Sequence, residues 1–208
     1  MRRRLFVLLM IVLPCSLSLA VQVGAATQDP TDQLRPLIDK VTDILTDSSS
    51  AHHSNEEKVD RVMEIARDGF DFEEMSKRVL GSRWRSLSAQ EKSKFVDTFT
   101  ELLKYAYVRQ IDRYSGQRIE FLDQRIRGKR AEVKTLFLDG DTQIPVSYIL
   151  IDREGKWLIY DVVVEGVSLI RNYLEQFQEI LRKEDFQGLI VKLEAKITEL
   201  KNSPTQES

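Results

Sequence analysis

Few side chains in this chain of 208 residues are of a type and spacing that could carry out chemistry. The only histidines, His52 and His53, lie side by side in the polar stretch SSSAHHSN, where such residues are ordinarily solvated. The sequence contains no CxxC, HExxH, GxxxxGK[ST], GxGxxG or GxSxG pattern. It therefore predicts no metal site, no cofactor and no histidine-based catalytic triad.

Asp161 is the remaining candidate for acid–base chemistry. It lies between apolar neighbours in IYDVVV, and a buried carboxylate there could serve as a general base. The alternative, which we favour, is a structural role in which Asp161 caps a backbone group or pairs with an arginine. Glu165, just before Gly166, is suited to binding the backbone amides of the next helix. We predict no catalytic residue and no enzymatic activity.

The elements that must position these residues follow from the hydrophobic periodicity. Before Gly116 the period is helical, and the predicted helices are Thr31–Asp47, Ser54–Asp68, Asp71–Leu80 and Ala89–Tyr114. Ser54 with Glu57, Asp71 with Glu74, and Ser88 with Glu91 form capping boxes. The period then changes to two, which predicts the strands Arg118–Ile126, Ala131–Leu138, Ile144–Asp152 and Lys156–Val164. Helices return over Val167–Leu181 and about Phe186–Leu200.

The turns between the predicted strands define the fold class. GKR, DGD and REGK are hairpin turns, so the sheet should be antiparallel. The predicted fold is α+β, with helices packed on one face of a curved, about four-stranded antiparallel sheet. Such a layered arrangement can leave an apolar cavity between sheet and helices. The same residues could instead fill a closed core, and periodicity alone favours the closed core.

The N-terminus has the layout of a secretory signal peptide: Arg2–Arg4, an apolar run to about Leu19, and small residues. Cleavage after Ala25 or Ala26 fits, and we favour residues 1–26 as the signal and 27–208 as one domain with a flexible C-terminal tail. Cys15, the only cysteine, would leave with the signal. The formal net charge would change from −2 to −5, which argues against nucleic acid as a partner.

Two blocks of sequence resemble the signatures of the MlaC family, also called the toluene-tolerance auxiliary family. They are FDFEEMSKRVLGSRWRSLSAQEKSKFVDTFTELLKYAY, Phe70–Tyr107, and GKWLIYDVVVEGVSLIRNYLEQF, Gly155–Phe177. The resemblance implies a monomeric periplasmic phospholipid carrier that holds acyl tails in a cavity between helices and sheet and needs no cofactor. It implies as partners an outer-membrane lipoprotein–porin complex and an inner-membrane complex of an ABC transporter with its MCE-domain subunit.

From this resemblance and strand alternation we predict the residues that bind lipid. The stripe Phe72, Met75 and Val79 should form part of the wall with Trp84, on a helix that shifts to admit lipid because it is short and ends at Gly81. The complete predicted set is Phe72, Met75, Val79, Trp84, Phe99, Leu103, Tyr107, Val133, Thr135, Val146, Tyr148, Ile159, Asp161, Val167 and Ile170.

Three rival functions remain open at this stage. One is a carrier of another hydrophobic molecule, such as a quinone or a sterol-like lipid. Another is a small enzyme on a cone-shaped α+β fold with Asp161 as base. The third is a protein–protein adaptor with a solid core, which a large exposed apolar patch without a cavity would favour.

Overall fold

The computed structural model describes residues 29–46, 55–112, 114 and 116–202. The predicted signal peptide lies outside the described residues, as do His52, His53, Ser54 and most of the predicted tail. Helices come first, a sheet follows, and two helices close the described chain. The helices are α1 (Pro30–Thr46), α2 (Asn55–Gly69), α3 (Phe72–Leu80), α4 (Ala89–Asp112), α5 (Leu169–Leu181) and α6 (Phe186–Asn202), with a 3-10 helix at Gly81–Ser86.

The sheet is an antiparallel meander in which each strand pairs with the next one along the chain. Its strands are β1 (Arg118–Arg127), β2 (Arg130–Asp139), β3 (Thr142–Arg153), β4 (Lys156–Val164) and β5 (Val167–Ser168). The α+β class and the antiparallel sheet are confirmed. The fifth strand is the one addition: two residues after the turn at Gly166 pair with Val163 and Val164 before α5 begins.

The helix caps follow the predicted chemistry with one change. Ser88 and Glu91 bond reciprocally at the start of α4, because each backbone amide donates to the other side chain. At α3 the amide of Glu74 donates to Asp71 Oδ1 at 2.8 Å. The reciprocal bond is absent there, since the Asp71 amide donates instead to the carbonyl of Ile159 in β4, also at 2.8 Å. The start of α3 is therefore tied to the sheet.

Two apolar clusters form the core of the described structure. The larger one, which we call the helical core, joins α3, α4, α5 and α6. Its centre is a group of four rings, with centroids 5.2–5.9 Å apart in the contacting pairs: Phe95, Phe99, Tyr173 and Phe177. The smaller cluster packs Leu34 and Ile38 of α1 against Val133, Leu150 and Ile159 of the sheet. Because Ile149 and Ile151 contact the helical core, both faces of β3 are covered there.

A β-bulge interrupts β4 at Tyr160. Ile149 pairs with Asp161 and Leu150 pairs with Ile159, so Tyr160 has no partner on β3. Tyr160 is buried in the helical core, and Asp161 bonds to α5. The next residue, Val162, packs on the face that carries Ile159. The extra residue therefore turns Asp161 away from the face it would share with Ile159 under strict alternation.

Candidate functional site

A cleft of about 590 Å³ opens between the end of β4 and the helices. Its lining residues come from α2, the α2–α3 junction, α3, α4, β4, β5 and the first turn of α5. Among the described residues these are Met63, Ala66, Phe70, Phe72, Met75, Leu103, Tyr107, Val162, Val164, Val167, Ser168, Leu169 and Asn172. The cleft is thus a gap between the layers of the fold.

The lining of the cleft is mostly apolar and includes a few polar side chains. Two methionines, two phenylalanines and a set of aliphatic side chains supply most of the lining. Polar side-chain atoms come from Tyr107, Ser168 and Asn172, and no described lining residue carries a charge. Flexible methionines at such a surface suit apolar partners of variable shape. The cleft can hold an apolar chain, and its described walls offer no charge to pair with an ionic group.

The predicted lipid-binding residues fall into three groups in the structure. Five of them line the cleft: Phe72, Met75, Leu103, Tyr107 and Val167. Sequence reasoning did not include Met63 and Ala66 of α2 in the predicted set. It also missed Val162 and Val164, because the bulge that decides which face of β4 they occupy leaves no mark in the alternation.

A second group continues the sheet face that forms the floor of the cleft. Tyr148 pairs with Val162, and Val146 pairs with Val164. Val133 and Thr135 lie one strand further out, opposite Tyr148 and Val146. Paired residues share a face of the sheet. These four predicted residues therefore share the face of Val162 and Val164 but lie outside the described lining of the cleft, and Val133 is buried in the smaller cluster against α1.

The remaining predicted residues lie elsewhere. Val79, Trp84, Phe99 and Ile170 are buried in the helical core, and Ile159 is buried against α1. The α3 stripe therefore divides: Phe72 and Met75 reach the cleft, whereas Val79 packs inside. Periodicity marks all these positions as apolar but cannot separate a lining residue from a core residue.

Asp161 has a structural task in this arrangement. Its Oδ2 accepts a hydrogen bond from the Ser168 hydroxyl at 2.6 Å, and its Oδ1 accepts one from the Ile170 amide at 3.0 Å. The Ser168 oxygen accepts in turn from the Arg171 amide. Asp161 and Ser168 together cap α5, the task that the sequence analysis gave to Glu165. Glu165 instead lies in the β4–β5 turn with φ +50°, where its amide donates to the carbonyl of Pro145.

Charged side chains anchor α3 to the β3–β4 hairpin. Arg153 donates to Asp71 at 2.8 Å and to Glu74 at 3.2 Å. Glu74 is buried and pairs also with Arg78, whose guanidinium lies 3.9 Å from the centre of the Tyr160 ring. A buried carboxylate that loses a partner is costly, so these contacts resist displacement of α3. The anchoring opposes the expectation that α3 shifts to admit a ligand.

Tyrosine hydroxyls border the floor and the rim of the cleft. Tyr107 of α4 lines the cleft, and burial raises the pKa of Tyr107 and of Tyr173 on α5. On the floor, burial among apolar side chains raises the pKa of Tyr148 to about 12. The cause is the loss of water around the phenolate.

The raised pKa of Tyr148 predicts an alkaline loss of stability. Below pH 10, the ordinary tyrosine pKa, the folded and unfolded chains both hold this proton, and the full stability is present. Between about pH 10 and 12 the unfolded chain loses the proton first, so the free energy of unfolding falls by about 1.4 kcal/mol per pH unit. Urea unfolding at pH 9 and pH 11.5 should show a smaller loss in Tyr148→Phe than in the unmodified chain. Equal losses would contradict burial of this hydroxyl.

Neither a metal site nor a bilayer-spanning helix is found in the part of the chain that the structure describes. No group of three His, Cys, Asp or Glu side chains there is arranged to hold a metal ion. No helix within the same residues combines the length and apolar character needed to cross a bilayer.

Fold and cleft together define the class of protein: an α+β protein whose antiparallel sheet and helices enclose an apolar cleft. A structural relative of this class is the phospholipid-binding protein from Ralstonia solanacearum, solved in complex with a phospholipid. It has a TM-score of 0.78 at 18% identity, over 84% of this chain and 99% of that one. The family profile described as "MlaC protein" matches residues 35–195, and the chain belongs to the MlaC family.

A characterised relative supports the same assignment. The intermembrane phospholipid transport system binding protein MlaC of Haemophilus influenzae is 28% identical over 123 residues. The match covers 56% of this chain and 58% of that protein. The similarity thus extends over a little more than half of either sequence.

Proposed function

We propose that this chain is a phospholipid carrier that holds acyl tails in the apolar cleft and releases them at membrane-bound partners. The observation that carries the proposal is the uncharged, methionine- and phenylalanine-lined cleft between β4 and the helices. Membership of the MlaC family supports it, as do the phospholipid named with the Ralstonia structure and the transport system named for the Haemophilus relative.

The energetics of lipid transfer explain why such a cleft is needed. A two-tailed lipid has about 30 methylene groups, and each costs about 0.8 kcal/mol to expose to water. Free passage through water is therefore opposed by roughly 24 kcal/mol. An apolar cleft removes most of this cost without any bond to the headgroup. The task is one of binding and transport and needs no catalytic residue.

Location and partners belong to the same proposal. The predicted signal peptide, residues 1–26, would send the domain 27–208 to the periplasm. There the carrier would exchange lipid with an outer-membrane lipoprotein–porin complex and with an inner-membrane complex of an ABC transporter and its MCE-domain subunit. Such a route would serve to maintain the lipid asymmetry of the outer membrane.

Native mass spectrometry tests the proposal most directly. The mature protein is purified from a Gram-negative periplasm without detergent, and bound molecules are extracted with solvent. We expect a stoichiometric phospholipid adduct with mixed headgroups, because the described walls carry no charge that would select one. A different hydrophobic molecule in place of phospholipid would support the rival carrier function. An apo mass together with no uptake from vesicles would reject the carrier proposal.

A further inference from the structure

The hairpin that joins β1 to β2 concentrates positive charge. Four of the six residues at positions 125–130, RIRGKR, are cationic, whereas the mature chain as a whole is expected to be acidic. The four are Arg125, Arg127, Lys129 and Arg130, and all of them are exposed. The hairpin is therefore a cationic surface on an acidic protein.

Acidic side chains of the described chain do not neutralise this hairpin. In the part of the protein that the structure describes, no ion pair includes any of the four cations. Glu132 lies opposite Arg125 on β2 but forms no ion pair with it. Asp123, the acidic residue shortly before the hairpin turn, pairs instead with Lys134 at 3.4 Å. The four positive charges are thus available to an external anion.

The register of the sheet sets two of these arginines directly opposite each other. Arg127 on β1 and Arg130 on β2 are partners across the hairpin, so their side chains leave the same face with Cβ atoms about 5 Å apart. Like charges in this position destabilise a hairpin, and neither arginine is paired with a described carboxylate. Two guanidinium groups at this spacing can bind one phosphate together, because each presents its N–H donors in a planar fork. The arrangement therefore favours an external phosphate group as the partner.

The hairpin presents these cations on a fixed backbone, together with an apolar side chain. The carbonyl of Lys129 in the turn accepts a hydrogen bond of 2.9 Å from the Asp152 amide of β3. Ile126 pairs with Ala131, on the face opposite Arg127, and is 50% exposed. Binding at a bilayer surface combines buried apolar area with electrostatic attraction to anionic lipids. Ile126 thus favours a lipid surface over a free phosphate ion, which offers nothing apolar to contact.

We propose that the β1–β2 hairpin docks the protein onto membrane surfaces that contain anionic phospholipid. Arg127 and Arg130 bind lipid phosphates, the other two cations add electrostatic attraction, and Ile126 enters the boundary between headgroups and acyl chains. Each cation near such a surface strengthens binding by about five-fold, and salt screens this effect. None of these side chains is among the described lining residues of the cleft. Docking is therefore separate from the binding of acyl tails and does not rest on the proposed function.

Co-sedimentation with vesicles tests the docking surface. The mature protein is mixed with vesicles of phosphatidylglycerol and phosphatidylcholine in equal parts, or of phosphatidylcholine alone, at low and at high salt. A protein that only takes lipid into the cleft stays in the supernatant, so sedimentation measures docking alone. We expect binding to the anionic vesicles at low salt, loss of that binding at high salt, and no binding to phosphatidylcholine alone.

A pair of matched double variants assigns the binding to the hairpin. Arg127→Gln with Arg130→Gln should weaken binding to the anionic vesicles by at least about ten-fold. The change also removes the repulsion between the two arginines, so the hairpin should stay folded. The control is Arg83→Gln with Arg85→Gln in the 3-10 helix, where both arginines are exposed and the same two charges are lost. This control should bind within about two-fold of the unmodified protein.

Three results would overturn the docking proposal. The unmodified protein could stay in the supernatant with anionic vesicles at low salt. It could sediment equally with both kinds of vesicle, which would mean that charge does not decide. The hairpin variant, verified as folded by circular dichroism, could bind as well as the unmodified protein or no worse than the control.

Discussion

Tryptophan in place of Val162 is expected to abolish lipid retention while the fold stays intact. Val162 lies on the floor of the cleft, half-buried, and its strand neighbour Val164 lines the same space. An indole there occupies volume that an acyl chain would otherwise fill. Because the added bulk enters an open cleft rather than a packed core, we expect a stability change below about 1 kcal/mol, less than overpacking normally costs.

The control for this variant is the same substitution on a surface without a cleft. Val191 of α6 is 55% exposed, so Val191→Trp should retain lipid as the unmodified protein does. Both variants are purified from the periplasm and examined by native mass spectrometry, with circular dichroism to verify folding. A folded Val162→Trp protein that still carries a full complement of phospholipid would mean that tails lie elsewhere.

Truncation of Phe99 should lower the free energy of unfolding strongly, while the protein that still folds keeps its lipid. This is the reverse of the result expected for Val162→Trp. The Phe99 ring is fully buried and lies 5.2–5.8 Å from the rings of Phe95, Tyr173 and Phe177. Phe99→Ala removes these contacts and leaves a cavity, which typically costs about 3–5 kcal/mol. Urea unfolding measures the change in the free energy of unfolding.

A milder variant keeps this prediction testable if Phe99→Ala folds poorly. Phe99→Leu retains most of the volume and should cost less than about 2 kcal/mol. Its lipid content per folded molecule should equal that of the unmodified chain. Loss of lipid in a well-folded Phe99→Leu protein would mean that Phe99 touches the ligand, as the sequence analysis predicted.

Local sequence signals predicted the helices and strands well because their causes are local. The reciprocal bonds of Ser88 with Glu91 depend on residues three positions apart, and the hairpin turns depend on two or three residues. The order of helices and hairpin-linked strands predicted the α+β class, and family resemblance predicted the lipid-binding role. The two-residue strand β5 was missed because so short a segment carries no detectable period.

The cleft was harder to predict because it depends on contacts between distant elements. Phe72 and Val79 belong to one apolar stripe, yet only Phe72 reaches the cleft. Phe99 and Tyr107 both lie on α4, but the packing of α5 and α6 closes over Phe99 alone. The ion pairs of Arg153 with Asp71 and Glu74 join residues about 80 positions apart, so no local pattern shows that α3 is anchored.

The bulge at Tyr160 separates two halves of β4 that pack against different parts of the structure. Before it, Trp157 and Ile159 are sealed beneath α1; after it, Val162 and Val164 form the wall of the cleft. Because Tyr160 is unpaired, the Tyr160 ring and the Asp161 carboxylate both lie on the side of α3 and α5. The residues after them, Val162 and Val164, then return to the face that lines the cleft. Regular pairing of the same residues, without the bulge, would place Asp161 on the face of Ile159, so that its carboxylate would turn toward the hydrocarbon and α5 would lose its cap. The bulge therefore determines the apolar character of the cleft as much as the identity of any side chain that lines it.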